Sequence, residues 1–146
     1  MKKYRLIPVL LLKNGWLVQS KGFNRYQNLG NPTTAVRRIS QWGSDELIYL
    51  DISTDEEYDI RRNDQNYPNR QSFLEIIEDV SKETFMPITV GGKISSIKDI
   101  EARLKLGADK VSINSEAFKN PSFIEQCSKE FNCSTENKLI TIRHIA

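Results

Sequence analysis

Residues 87–95 read PITVGGKIS: a proline, an apolar-leaning run ending at Val90, two glycines, a lysine, Ile94 and a serine. A strand that stops on paired glycines just before a helix is the hinge of a strand–helix unit. The glycines reach backbone angles closed to other residues. Lacking Cβ atoms, they also let an anion approach main-chain N–H groups at the start of a helix. A tight turn without any ligand reads equally well from Gly91 and Gly92 alone. The surrounding sequence has to separate the two.

On both sides the same order recurs. RLIPVLLL (5–12), ELIYLDI (46–52), PITV (87–90), ADKVSIN (108–114) and LITI (139–142) are short apolar runs that predict strands. Between them the spacing predicts helices over 32–43, 72–83, 96–107 and 121–131. Pro32 and Pro121 stand at two helix starts, Ser96 is an N-cap candidate, and Gly43 and Gly107 are stops. Phe73, Ile76, Ile77 and Val80 fall on one helical face, as do Ile97, Ile100 and Leu104. Four strand–helix units and a fifth strand follow, and the alternation implies parallel pairing through right-handed crossovers. Either an open doubly wound sheet or part of a (β/α)8 barrel satisfies this pattern. At 146 residues the length alone favours the open sheet, since a barrel needs about 250 residues.

Composition narrows the class. With 38% apolar and 27% charged residues the chain reads as one globular domain over 1–146. Its 21 basic and 19 acidic residues are dispersed, which excludes the clustered charge of a nucleic-acid binder. The opening MKKYRLIPVLLLKNG resembles a secretory signal, but its apolar run is too short to span a membrane and no small-residue cleavage site follows. A buried strand is expected there instead. Cys127, Cys133 and His144 match no zinc spacing, so reduced cytosolic thiols are expected, with no metal or cofactor.

Ligands gather at the C-terminal ends of parallel strands, which singles out Asp51, Gly91, Gly92, Lys93, Asn114 and Ser115. Asn114 and Ser115 can bond a phosphate oxygen, though both are also ordinary turn residues. Asp51 suits a general acid or base, or equally a loop cap. The polar segment from Ser53 to Gln71 is long for a strand–helix loop, and Tyr58, Arg61 and Tyr67 are substrate-contact candidates within it. Arg5, Glu46 and Lys110 begin three strands at the opposite end, where a salt-bridged plug of structural value is the first expectation.

RLIPVLLLKNGWLV, DELIYLDI, MPITVGGKI and GADKVSIN, in this order and spacing, resemble the cyclase subunit of imidazole glycerol phosphate synthase, an ammonia-using (β/α)8 barrel of histidine biosynthesis. The likeness runs from about Arg5 to about Phe131. It implies that the chain is the N-terminal half of a barrel. It also implies a glutaminase partner supplying ammonia and a phosphorylated small-molecule substrate. By the resemblance Gly91, Gly92, Asn114 and Ser115 match the first phosphate site, and Asp51 matches the acid ending strand two. Arg5, Glu46 and Lys110 match the charged gate where ammonia enters, and this reading displaces the plug. Three positions depart from the family pattern. A catalytic aspartate falls on Leu11, a loop lysine on Gln19, and the third glycine of the phosphate loop on Lys93. A branch with leucine at the first position looks like a partner in amidination of nucleotide-linked sugars. A half-barrel should leave strands one and five with open edges, through which two copies would associate, unless the chain is a truncated product.

Overall fold

The computed structural model describes residues 4–54, 72–131 and the strand at 139–141. In chain order the elements are β1 (Val9–Lys13), β2 (Trp16–Lys21), β3 (Arg25–Gly30), α1 (Pro32–Gln41), β4 (Leu47–Asp51), α2 (Phe73–Glu83), β5 (Ile88–Gly91), α3 (Ile97–Lys105), β6 (Lys110–Ile113), α4 (Ser115–Lys119), α5 (Pro121–Glu130) and β7 (Leu139–Thr141). They form one sheet in the order β3-β2-β1-β4-β5-β6-β7. Along β1-β4-β5-β6-β7 the pairing is parallel, and each strand joins the edge left by the one before. A doubly wound sheet reverses its direction of growth at a switch point. This one never does, so right-handed crossovers place the helices on a single face, the arrangement of a barrel arc.

Side-chain alternation confirms the two faces. Leu12, Leu47, Tyr49, Ile88 and Val90 pack with Val36 and Ile39 of α1 and Ile76, Ile77 and Val80 of α2 in one buried cluster. Val111 and Ile113 pack with Ile100, Phe123 and Cys127 in a second. Complete burial of a side chain such as Ile77 contributes about 2 kcal/mol. Tyr49, fully buried, also donates its hydroxyl to the Pro32 carbonyl at 2.9 Å, tying β4 to the first turn of α1. Residues of the other parity, Leu11, Leu50, Gly91 and Ser112, stand opposite one another in register on the face turned away from the helices.

Helix ends follow the sequence. Pro32 and Pro121 occupy first-turn positions, and Asn31 caps α1 through Thr33 N at 2.7 Å. Gly43 (φ +76°) and Gly107 (φ +106°) leave their helices in the left-handed region.

Two expectations need correction, and one element was not foreseen. The first strand begins at Val9 instead of Arg5: Pro8 has no N–H to donate, and Leu6 instead bonds Asp45 through its N–H and carbonyl. The outer edge of β1 is not open, because β2 pairs with it antiparallel from Leu11 to Lys13. Among the described residues the edges of the sheet are therefore β3 and β7. The hairpin's signal is the Asn14-Gly15 pair, both residues at positive φ (50° and 75°) in a two-residue turn between Lys13 and Trp16. Finally, Asn114 and Ser115 lead directly into a short helix, α4.

Candidate functional site

An open cavity of about 710 Å³ lies beyond the C-terminal ends of β4, β5 and β6. Asp51, Gly92, Lys93, Asn114 and Ser115 line it, so the structure gathers these sequence-predicted residues in one place. Gly91 sits just beneath, inside the sheet. A Cβ on Gly91 would fall 2.7 Å from Leu50 Cδ2 and 2.9 Å from Ser112 Cβ. On Gly92, at φ +100°, it would fall 2.2 Å from the Asp51 carbonyl oxygen. Both glycines are thus required by packing, independent of any ligand. The close crossing of the two strand ends brings Asp51 beside the loop.

The loop's donors are partly spent within the protein. Asp99 Oδ2 accepts the N–H of Ser95 at 3.0 Å and of Ser96 at 2.9 Å, while Ser96 Oγ accepts from Asp99 N, a reciprocal cap on α3. Burial pushes the Asp99 carboxyl up, but the hydrogen bonds from Ser95 and Ser96 outweigh it and hold it below its usual range. The expectation that helix-start amides receive the anion is corrected on this point, since a carboxylate already holds them. Among the described residues the amides of Gly92, Ile94 and Asn114 have no protein acceptor. Behind the loop, buried Arg103 donates to the carbonyls of Gly92 (2.8 Å), Lys93 (3.4 Å) and Asp99 (2.8 Å).

Asp51 is buried and accepts from Ser53 N at 3.0 Å and Ser53 Oγ at 2.6 Å; Asn14 N donates to Ser53 Oγ at 2.9 Å. The carboxylate therefore caps the loop leaving β4, and it still lines the cavity. Asn114 and Ser115 are exposed at the rim, and the Asn114 side chain makes no capping bond to α4. Leu11 pairs with Leu50 where the resemblance places an acid, and Gln19 is exposed on β2. Lys93 occupies a left-handed position, φ +51°, that a glycine takes more easily. The sequence reading did not single out Ser112, Glu116, Lys119 or Arg103. Strand parity would have found Ser112, opposite Gly91 in register; the short α4 carries no periodic signal for the other two cavity residues.

At the opposite end of the strands Glu46 is buried between two cations. Arg5 Nη2 bonds its Oε1, and Lys110 Nζ its Oε2 at 3.1 Å. Burial pushes the Glu46 carboxyl up. Hydrogen bonds from Lys110 and Arg5, with their charges, prevail and hold it below the ordinary carboxylate range. The three residues predicted together are together.

Tyr58, Arg61, Tyr67, Cys133 and His144 lie outside the described residues. Among the described residues no cluster of His, Cys, Asp or Glu is arranged to hold a metal. None of the described helices is long and apolar enough to cross a membrane.

Residues 5–135 match the family model described as histidine biosynthesis protein. Among curated relatives, the imidazole glycerol phosphate synthase subunit HisF of Staphylococcus saprophyticus is 41% identical over 131 residues, 90% of this chain and 48% of that protein. The protein of the same description from Staphylococcus aureus strain Newman gives the same identity and coverage. The chain thus spans about half the length of the curated relatives it matches. Its five parallel strands correspond to the first half of the family's barrel. With a match from Arg5 onward over most of its length, the chain belongs to the histidine biosynthesis protein family.

Proposed function

We propose that the chain is a synthase subunit of the imidazole glycerol phosphate synthase kind, receiving ammonia from a glutaminase and delivering it to a phosphorylated or nucleotide-linked sugar. The observation that carries this reading is the division of the sheet into two chemically distinct ends. The Arg5–Glu46–Lys110 cluster marks one end, and a cavity holding Asp51, the glycine loop, Asn114 and Ser115 marks the other. Two curated relatives at 41% identity carry the synthase name. In this scheme Gly91 and Gly92 shape the phosphate loop, Asn114 and Ser115 donate to phosphate oxygens, and Asp51 is the acid or base. Exposed Trp42 and Phe85, in the loops entering β4 and β5, lie on the gate side and provide apolar contact for the glutaminase.

Leu11 favours a second reading, in which the chain holds phosphate and docks a glutaminase without turnover. The test is co-purification with the glutaminase subunit of imidazole glycerol phosphate synthase, followed by a glutamine-dependent assay on a sugar phosphate. Docking that is lost in Glu46→Gln supports the partner, and turnover abolished in Asp51→Asn supports the catalytic role. Docking with no turnover selects the second reading. Failure to dock with no turnover removes the first.

A further inference from the structure

We propose that Arg103 is the positioning residue of the anion site, an inference that rests on the phosphate-binding reading of the cavity. Arg103 projects from the last turn of α3, is 6% exposed, and bonds the backbone of its own helix at Asp99. The other arm of its guanidinium is shared by the carbonyls of Gly92 and Lys93. In a planar trans peptide the C=O and the N–H point in opposite directions. Two carbonyls drawn back toward α3 therefore turn the next two amides, those of Lys93 and Ile94, toward the cavity that both residues line.

The geometry needs this support. Gly92 and Lys93 both sit at positive φ, 100° and 51°, and at Lys93 the side chain makes that conformation less favourable than it would be for glycine. Asp99 fixes the loop one step further on by taking Ser95 and Ser96, so Arg103 and Asp99 together define where the remaining amides face. The ring of Phe73 lies 5.7 Å from the guanidinium and holds it in place. A buried cation behind two peptide dipoles also adds a favourable field at their N–H ends, where an anion would sit. Arginine suits the task because its fork reaches separate carbonyls from one rigid plane, whereas a lysine presents a single point charge.

The test is a titration of the full chain with inorganic phosphate, followed by amide NMR and calorimetry. In the parent, phosphate is expected to shift the amides of Lys93, Ile94 and Ser115 together. Arg103→Met, checked for folding by near-UV circular dichroism, is expected to weaken binding about tenfold or more. It should lose the shifts at Lys93 and Ile94 while keeping those at Ser115. Arg103→Lys is expected to recover part of the affinity, and it replaces the methionine variant if that one does not fold. Parental affinity and unchanged loop shifts in either folded variant overturn the proposal. Shifts at Ser115 alone in the parent overturn this inference and leave the phosphate site standing. No shift at any of the three overturns both.

Discussion

Gly92 shows how one residue can satisfy packing and function at once. Its backbone is left-handed, and the Asp51 carbonyl occupies the space a side chain would need. Gly43 is also left-handed, at φ +76°, but has nothing within 4 Å of a built Cβ. Comparing the two separates conformation from crowding. Gly43→Ala is expected to cost about 1 kcal/mol and Gly92→Ala about 3 kcal/mol, measured as shifts in urea midpoint at constant slope. Equal losses would mean that the strand ends yield to the added methyl group. The paired glycines of the sequence were legible as a special turn, but their dominant cause was not. For Gly92 that cause is Asp51, 41 positions earlier in the chain, and for Gly91 it is Leu50 and Ser112; a local motif does not display neighbours brought in by the fold.

At the level of the element, α3 illustrates why helix boundaries read well from the sequence. Ser96 and Asp99 stand in the capping spacing, and the structure closes both bonds. Ser96→Ala is expected to cost about 1 kcal/mol. The Asp99 carboxyl is held below its usual range in the folded chain, so its contribution is complete above the unfolded value and is lost as pH falls through the folded one. Thermal melts between pH 6 and pH 3, a window set from the ordinary carboxylate range, should therefore show a smaller acid-side loss in Asp99→Asn than in the parent. The β2–β3 hairpin was the opposite case. Lys21 to Leu29 are exposed and carry no alternation of apolar and polar residues, and the Asn14-Gly15 turn belongs to the preceding β1–β2 connection, so nothing in the pattern announced it. The strand–helix units were legible because burial on both faces imposes long apolar runs. A two-stranded ribbon at the rim imposes none.

Over the whole molecule, Glu46 joins the segment leading into β1 to the start of β6 through Arg5 and Lys110, with β4 and β5 between β1 and β6 in the sheet. Removing the carboxylate leaves two cations facing each other in a partly buried site. Glu46→Ala is expected to destabilise the chain by about 2 kcal/mol, less than the full cost of breaking a buried pair because Arg5 is half exposed. Removing Glu83, whose pair with Arg37 is exposed, is expected to have a smaller effect that vanishes in high salt. Urea denaturation of both variants at low and high salt checks this. The order of the sheet also bears on biosynthesis. Partners on neighbouring parallel strands lie between 21 positions apart, as in Thr89 with Lys110, and 41, as in Leu47 with Ile88. Among the described residues no parallel strand waits for a distant one, so a nascent chain leaving the ribosome can lay down each pairing shortly after its second strand emerges, and the platform beneath the glycine loop needs no segment beyond β6.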